Sequence, residues 1–203
     1  MINNKGIYEL RRKRIMKNLF IIAGANGSGK STLASELLPE ESLEFLNADE
    51  IAKEINPANI EAVRISAGKE VYKRLNQFFE NGTSFAIETT LAGGNHVKTI
   101  TRAKEQGYNA ALIYAFVDNP DVCIERIKVR VRTGGHNIPD EDVIRRFYRS
   151  KNNFWHKYKD IVDEWAIYYN GEINFIPVAK SDRKNIEILD EALYTEFMKD
   201  LKQ

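Results

Sequence analysis

A chain of 203 residues, 43% hydrophobic and 10% aromatic, is long enough to bury the core of one α/β domain and short for two. Its 30 basic and 29 acidic side chains leave a formal net charge of +1, so no whole-molecule field draws it to nucleic acid or to a membrane surface. A single cysteine, Cys123, excludes an internal disulfide and points to a reducing, cytoplasmic setting, and no apolar run approaches the roughly 18–20 residues that span a bilayer.

Residues 1–15 carry the basic run Arg11-Arg12-Lys13-Arg14 and read as a disordered leader or a mis-assigned start, with Met16 an alternative to Met1. Residues 16–203 read as one domain, without repeat, low-complexity tract or linker. Apolar periodicity then alternates between strand and helix. Leu19-Phe20-Ile21-Ile22-Ala23 is a buried strand, and the helix after it, 31–38, ends at Pro39. A short strand comes next at 43–46. Steps of three and four among Ile60, Val63, Ala67, Val71, Leu75 and Phe78 predict a helix over 59–80, stopped by Asn81-Gly82. Strands are expected at 84–88, 110–117, 165–169 and 174–178, with helices at 95–106, from 120 to about 132, from 139 onward and over 185–202. The nearly continuous apolar run 110–117 suits a parallel sheet covered on both faces. The expectation is a three-layer α/β fold, with a mostly parallel sheet of five or six strands and helices on both faces.

Between the first strand and its helix lies Gly24-Ala25-Asn26-Gly27-Ser28-Gly29-Lys30-Ser31-Thr32, which fits G-x-x-x-x-G-K-[ST] in its required context. Glycines let successive backbone N–H groups turn inward as an anion nest, and the helix start adds partial positive charge. Lys30 is placed to reach the β- and γ-phosphates of ATP, and Ser31 to offer a hydroxyl to Mg²⁺. The pattern implies a P-loop nucleotide-binding fold and leaves the fate of the bound nucleotide open.

Three further sites bear on the chemistry. The second strand ends in Asn47-Ala48-Asp49, and strand ends of such sheets form the ligand crevice. Asp49 there suits a general base or orienting group for an attacking hydroxyl, or alternatively a helix N-cap. The third strand ends in Glu88-Thr89-Thr90, groups suited to substrate hydroxyls or to water on magnesium, although Gly93-Gly94 also explains an ordinary turn. The third site is the run Arg126, Arg130, Arg132, Gly134-Gly135-His136, then Arg145 and Arg146. Arg126 and Arg130 share a helix face. Arginines of this kind can neutralise a transferring phosphoryl group, and the glycine pair suits the hinge of a closing lid; the alternative is a solvated basic helix. His96 and His156 lack metal-ligand spacing, the aromatics from Phe147 to Tyr158 fall near helical spacing and read as core, and Cys123 reads as buried and inert.

These elements together resemble the zeta toxin family, which includes UDP-N-acetylglucosamine kinases. The likeness runs from 18 to 177 through residues 24–32, Asn47-Ala48-Asp49, Ser84-Phe85-Ala86-Ile87-Glu88-Thr89-Thr90-Leu91-Ala92-Gly93 and Gly107-Tyr108, then Arg130-Val131-Arg132-Thr133-Gly134-Gly135-His136-Asn137-Ile138-Pro139, Arg145–Ser150 and Tyr169-Asn170. The resemblance implies a kinase with an arginine-bearing lid that phosphorylates a sugar hydroxyl of a UDP-amino sugar. It makes Lys30 and Ser31 the nucleotide and magnesium residues and Asp49 the base. Asn47, Glu88, Thr89, Thr90 and His136 fall on the substrate side, and Arg130 and Arg132, with Arg126, on the phosphates. A small helical antitoxin is the partner it implies. Two other classes remain. Leu91-Ala92-Gly93-Gly94-Asn95 is superficially similar to an ABC-type ATPase signature, against which the strand ending in Asp118-Asn119 lacks the Asp-Glu pair. A nucleotide-binding module without turnover is the other; within the transferases themselves, the alternative is a kinase for another small metabolite or a nucleic-acid end.

Overall fold

The computed structural model describes residues 17–38, 43–135, 137–171, 174–183 and 185–201. The leader 1–15, the helix stop at Pro39, the end of the last helix at 202 and the lid residue His136 lie outside the described residues.

The chain opens with β1 (Asn18–Ala23), α1 (Lys30–Leu37), β2 (Glu44–Leu46) and α2 (Ala48–Ile55). A 3₁₀ turn at Glu61–Val63 leads into α3 (Arg64–Asn81), followed by β3 (Phe85–Thr89), α4 (His96–Glu105) and β4 (Asn109–Phe116). Next come α5 (Pro120–Arg132) and α6 (Asp140–Asn153), which runs into a π-helical turn at Phe154–Tyr158. The chain then forms β5 (Glu164–Asn170), β6 (Phe175–Ser181), β7 (Ile186–Ile188) and α7 (Glu191–Lys199).

The strands form one sheet in the order β2-β3-β1-β4-β5-β6-β7. The first five in that order are parallel, and β6 and β7 add antiparallel. Every residue of β1 is buried, as a strand covered on both faces requires. Alternation divides them: Leu19, Ile21 and Ala23 join the larger core with Phe79 of α3, Ile100 of α4 and Phe197 of α7. Ile22 packs on the opposite face with Leu33 and Ala34 of α1. A third cluster, Ala25 with Cys123, Ile127, Val143 and Phe147, seats α5 and α6 against the loop after β1.

Two expectations change. The sheet has seven strands, because 186–188 is β7 and not the start of a helix. Ile186-Glu187-Ile188 alternates with the two-residue period of a strand, and the helix begins only after Asp190, whose side chain accepts from Leu193 N. The helix predicted from 59 starts as the 3₁₀ turn and becomes α-helical at Arg64. The aromatics Phe147, Phe154 and Tyr158 are core, as their spacing predicts. Among the described residues no helix is long and apolar enough to cross a membrane.

Parallel register decides where chemistry can gather. Ile22 pairs with Glu88 and Ala23 with Thr89, while Phe116 pairs with Tyr169, so β1, β3, β4 and β5 all end at one edge of the sheet. That edge carries the glycine loop, Glu88 to Thr90, and Asn170.

Candidate active site

The loop from Gly24 to Gly29 leaves β1 and turns directly into α1, which begins at Lys30. Lys30 is 7% exposed, and its Nζ donates to the Ala25 carbonyl over 2.9 Å, folding the side chain back across the loop. Ser28 N also donates to Ala25 O. Gly29, the N-cap of α1, has φ +90 and meets Asn170 so closely that a Cβ would lie 2.1 Å from its Nδ2. Only glycine fits there, on both steric and dihedral grounds. Among the described residues Ser28 Oγ is a buried side-chain polar atom without a hydrogen-bond partner, inside a loop whose type binds phosphate oxygens.

Charges converge on the Lys30 ammonium. Burial pulls its pKa below the ordinary lysine value; Glu88, Cys123 and Asp49 oppose that pull, and Arg130 adds to it. Glu88 Oε1 lies 3.9 Å from Lys30 Nζ, and its Oε2 accepts from Ser31 Oγ over 2.8 Å. The Glu88 carboxylate thus sits on the phosphate-loop side of the crevice, with its side chain 12% exposed. Burial pushes the Cys123 thiol up to about 11, against Lys30 and Arg126, which leaves it protonated near neutrality and agrees with an inert thiol.

Asn47 caps α2: its Oδ1 accepts from Asp49 N at 2.8 Å and from Glu50 N at 3.4 Å. Asp49 is therefore not the cap. It occupies the first turn, exposed, with its carboxylate in the electrostatic reach of Lys30. Thr89 Oγ1 accepts from Leu91 N and Thr90 Oγ1 from Ala92 N, so both hydroxyls shape the loop they open. That loop is held in an unusual conformation. Leu91, fully buried, has φ +54, and α6 with its π-helical turn secures it: Asn153 Nδ2 donates to Leu91 O and Tyr158 OH to Gly93 O.

The basic residues separate. Half-buried Arg126 donates through Nη2 to the carbonyls of Asn170 and Gly171, each at 3.4 Å. Arg130 acts on Lys30 from one turn further along α5. Arg132 instead lies beside Glu125 and Lys128, on the exposed side of the helix. Gly134-Gly135, expected as a hinge, is a helix stop. Gly134 N donates to Val131 O and Gly135 N to Arg130 O, the paired bonds that close a helix on a left-handed glycine, here φ +87. Arg146 of α6 reaches the loop from the other side, its Nη1 donating to Asn26 Oδ1 at 3.3 Å while Nη2 pairs with Asp142. Sequence reasoning placed Arg146 in the basic cluster and in the Arg145–Ser150 segment of the resemblance, but no spacing rule links it to a residue 120 positions earlier. Asn170 entered the sequence reading only through the resemblance, as part of Tyr169-Asn170, with no role attached to it.

Comparison with known proteins bears on the family and the fold. Residues 19–150 match the AAA domain family. An uncharacterized protein of Haemophilus influenzae is 34% identical over 136 residues, which cover 66% of this chain and 95% of that protein. The shikimate kinase of Baumannia cicadellinicola is 24% identical over 152 residues, 71% of this chain and 84% of the kinase. In fold, the AvrRxo1-ORF1:ORF2 structure with ATP superposes with a TM-score of 0.73 at 13% identity, over 97% of this chain and 68% of that one. A structure from the PezAT toxin–antitoxin system of Streptococcus pneumoniae superposes with a TM-score of 0.61 at 18% identity, over 98% and 88%. The second of these accords, at the level of fold, with the resemblance to zeta toxins. With its glycine loop, parallel sheet and matched span of residues 19–150, the chain belongs to the AAA domain family and has the fold of the P-loop kinases.

Proposed function

We propose that the chain is an ATP- and magnesium-dependent kinase that transfers the γ-phosphate to a hydroxyl of a small acceptor, specifically a UDP-amino sugar. The observation that carries this reading is that Glu88, 3.9 Å from Lys30 Nζ, and the exposed Asp49 both act electrostatically on the Lys30 ammonium, together with the Arg130 guanidinium. An exposed acid at the start of α2 is placed to take a proton from an acceptor hydroxyl, a step that transfer requires and nucleotide binding alone does not.

In this reading Gly24 to Thr32 cradle the phosphates, and Lys30 leaves the Ala25 carbonyl to meet them. The donor set suits magnesium: Ser31 Oγ and Glu88 Oε2 are hard oxygens 2.8 Å apart. Among the described residues no cluster of three metal-ligating side chains exists, and none is needed, because magnesium in such sites takes one or two protein oxygens plus phosphates. When bound, magnesium neutralises the charge that builds on the phosphates during transfer. Asp49 accepts the proton of the acceptor hydroxyl as its oxygen bonds to the γ-phosphorus, and ADP leaves as the β–γ bridge breaks. Arg130, with Arg126 one turn earlier on the same helix, would hold the phosphate oxygens. Arg132, which the resemblance also assigns to them, lies on the exposed side of the helix beside Glu125 and Lys128. The resemblance assigns Asn47, Thr89, Thr90 and His136 to the acceptor, and Glu88 as well, although the Glu88 carboxylate faces Lys30 and Ser31 on the phosphate-loop side.

The acceptor rests on the zeta-toxin resemblance, and a small helical antitoxin in the cytoplasm is the partner proposed on the same ground. The shikimate kinase likeness favours a second reading, a small hydroxylated acid as acceptor. One experiment separates them. The protein is incubated with ATP and magnesium against UDP-sugars and hydroxy acids, and products are read by mass spectrometry. A phosphorylated UDP-N-acetylglucosamine is the expected product. ATP hydrolysis unaffected by any acceptor would remove the kinase reading.

A further inference from the structure

Asn170, the last residue of β5, reaches across to the glycine loop and donates from Nδ2 to the Ser28 carbonyl over 2.8 Å. Among the described residues no peptide bond is cis, and in a trans peptide the carbonyl and the next N–H point in opposite directions. Turning the Ser28 carbonyl toward Asn170 therefore turns the Gly29 N–H away from the asparagine. The neighbouring peptides are held by Ser28 N donating to Ala25 O and Leu33 N donating to Gly29 O, and Asn170 is the side chain that holds the Ser28 carbonyl between them. Gly29 has no side chain, sits at φ +90, and caps α1 without any side-chain hydrogen bond. A peptide flanked by such a residue can rotate with little steric penalty.

The asparagine is itself well fixed. It pairs with Phe175 across the β5–β6 hairpin, and the Phe175 ring lies 3.3 Å from where a Gly29 Cβ would be. Arg126 of α5 holds its backbone carbonyl. Contact with Gly29 is tight enough that a Cβ there would collide with the carboxamide.

We propose that Asn170 is a positioning residue for the phosphate loop: its carboxamide locks the Ser28–Gly29 peptide with the Gly29 amide facing the bound phosphates. The proposal rests on the nucleotide-binding reading above. It differs from a packing role in one respect, since the locked amide serves the phosphates and not the nucleoside.

The test compares Asn170→Ala and Asn170→Asp with the wild-type chain by calorimetric titration with inorganic tripolyphosphate, ADP and adenosine. Asn170→Asp is isosteric, keeps the packing on Gly29 and Phe175, and guards against failure of the alanine variant to fold. Loss of one hydrogen bond that orients a phosphate-binding amide should weaken tripolyphosphate and ADP by about three- to tenfold. Asn170→Asp should lose more, because a carboxylate cannot donate to the Ser28 carbonyl and repels phosphate. Adenosine affinity should stay as in the wild type. Unchanged tripolyphosphate affinity in both variants overturns the proposal, as does an equal loss for adenosine. If the wild-type chain binds neither ADP nor tripolyphosphate, the nucleotide reading itself falls, and the positioning role with it.

Discussion

The Ser31 hydroxyl donates to Glu88 Oε2 across 2.8 Å, joining the first turn of α1 to the end of β3 at the mouth of the phosphate loop. The same carboxylate faces the Lys30 ammonium, so it holds both of the loop's functional side chains before any ligand arrives. If magnesium binds through Ser31, Glu88 is the acidic partner that orients that hydroxyl or the metal's water. Glu88→Gln keeps an acceptor for Ser31 and removes the charge. Removal of such an outer partner typically costs about 10–100-fold in metal affinity or activity. The expected result is a rise of that order in the magnesium needed for half-maximal turnover at saturating ATP. A magnesium curve that superposes on the wild type would confine Glu88 to its pairing with Lys30.

Asn47 and Asp49 separate stability from chemistry. Because Asn47 holds the Asp49 and Glu50 amides, Asn47→Ala should cost about 0.5–2 kcal/mol of stability, the usual range for a lost N-cap. Asp49 is exposed and caps nothing, so Asp49→Asn should leave the denaturation midpoint nearly unchanged. Its turnover should fall by roughly 10²–10⁴, the contribution of general-base assistance. Urea titration reads the first effect and steady-state kinetics the second. A near wild-type rate for Asp49→Asn would leave the aspartate without a role in transfer.

The range of each interaction decides whether it could be seen in the residues. Gly24–Thr32, the buried strand before it and the strand-end carboxylates are local patterns, and strand ends in parallel sheets share one edge by topology. β7 was hidden because three alternating residues before a capping aspartate look like the start of the helix they precede. Gly134-Gly135 is ambiguous in sequence: a flexible pair and a helix stop use the same letters, and only the bonds to Arg130 and Val131 carbonyls distinguish them. The left-handed Leu91 could not be read at all. Leucine rarely adopts that conformation, and the asparagine that holds it lies 62 positions away. Likewise Arg146 and Asn170 reach the phosphate loop only through the tertiary fold.

Gly135 packs so closely on α5 that a Cβ would meet Arg130 Cγ at 2.5 Å and the Arg130 carbonyl at 2.9 Å. Gly135→Ala must therefore displace the Arg130 side chain or open the helix stop. With Arg130 in the field of Lys30, that displacement is expected to act on phosphate handling. The kcat of Gly135→Ala should drop while adenosine affinity is retained. Gly134→Ala, strained by its φ of +87 without touching Arg130, should instead act on stability, by about 1–2 kcal/mol. Identical kinetic profiles for the two variants would mean that the helix end, and not Arg130, matters.

Cys123 supplies a pH prediction whose sign is set by burial. Its thiol is pushed from an ordinary value of 9.0 up to about 11 in the folded chain. Between those values the unfolded thiol gives up its proton while the folded one keeps it, so the folded state holds more protons and stability falls as pH rises. Below pH 9.0 the contribution is fully present; it is lost progressively toward pH 11. Tyr114, its phenol also raised by burial, adds a loss of the same sign above the ordinary tyrosine value. The urea midpoint should therefore decline across this alkaline window, and Cys123→Ala should make the decline shallower without removing it. The native thiol should also resist iodoacetamide near neutrality and react once the chain is unfolded. Rapid alkylation of the folded protein would show that the α5 core beneath the phosphate loop opens far more readily than its packing implies.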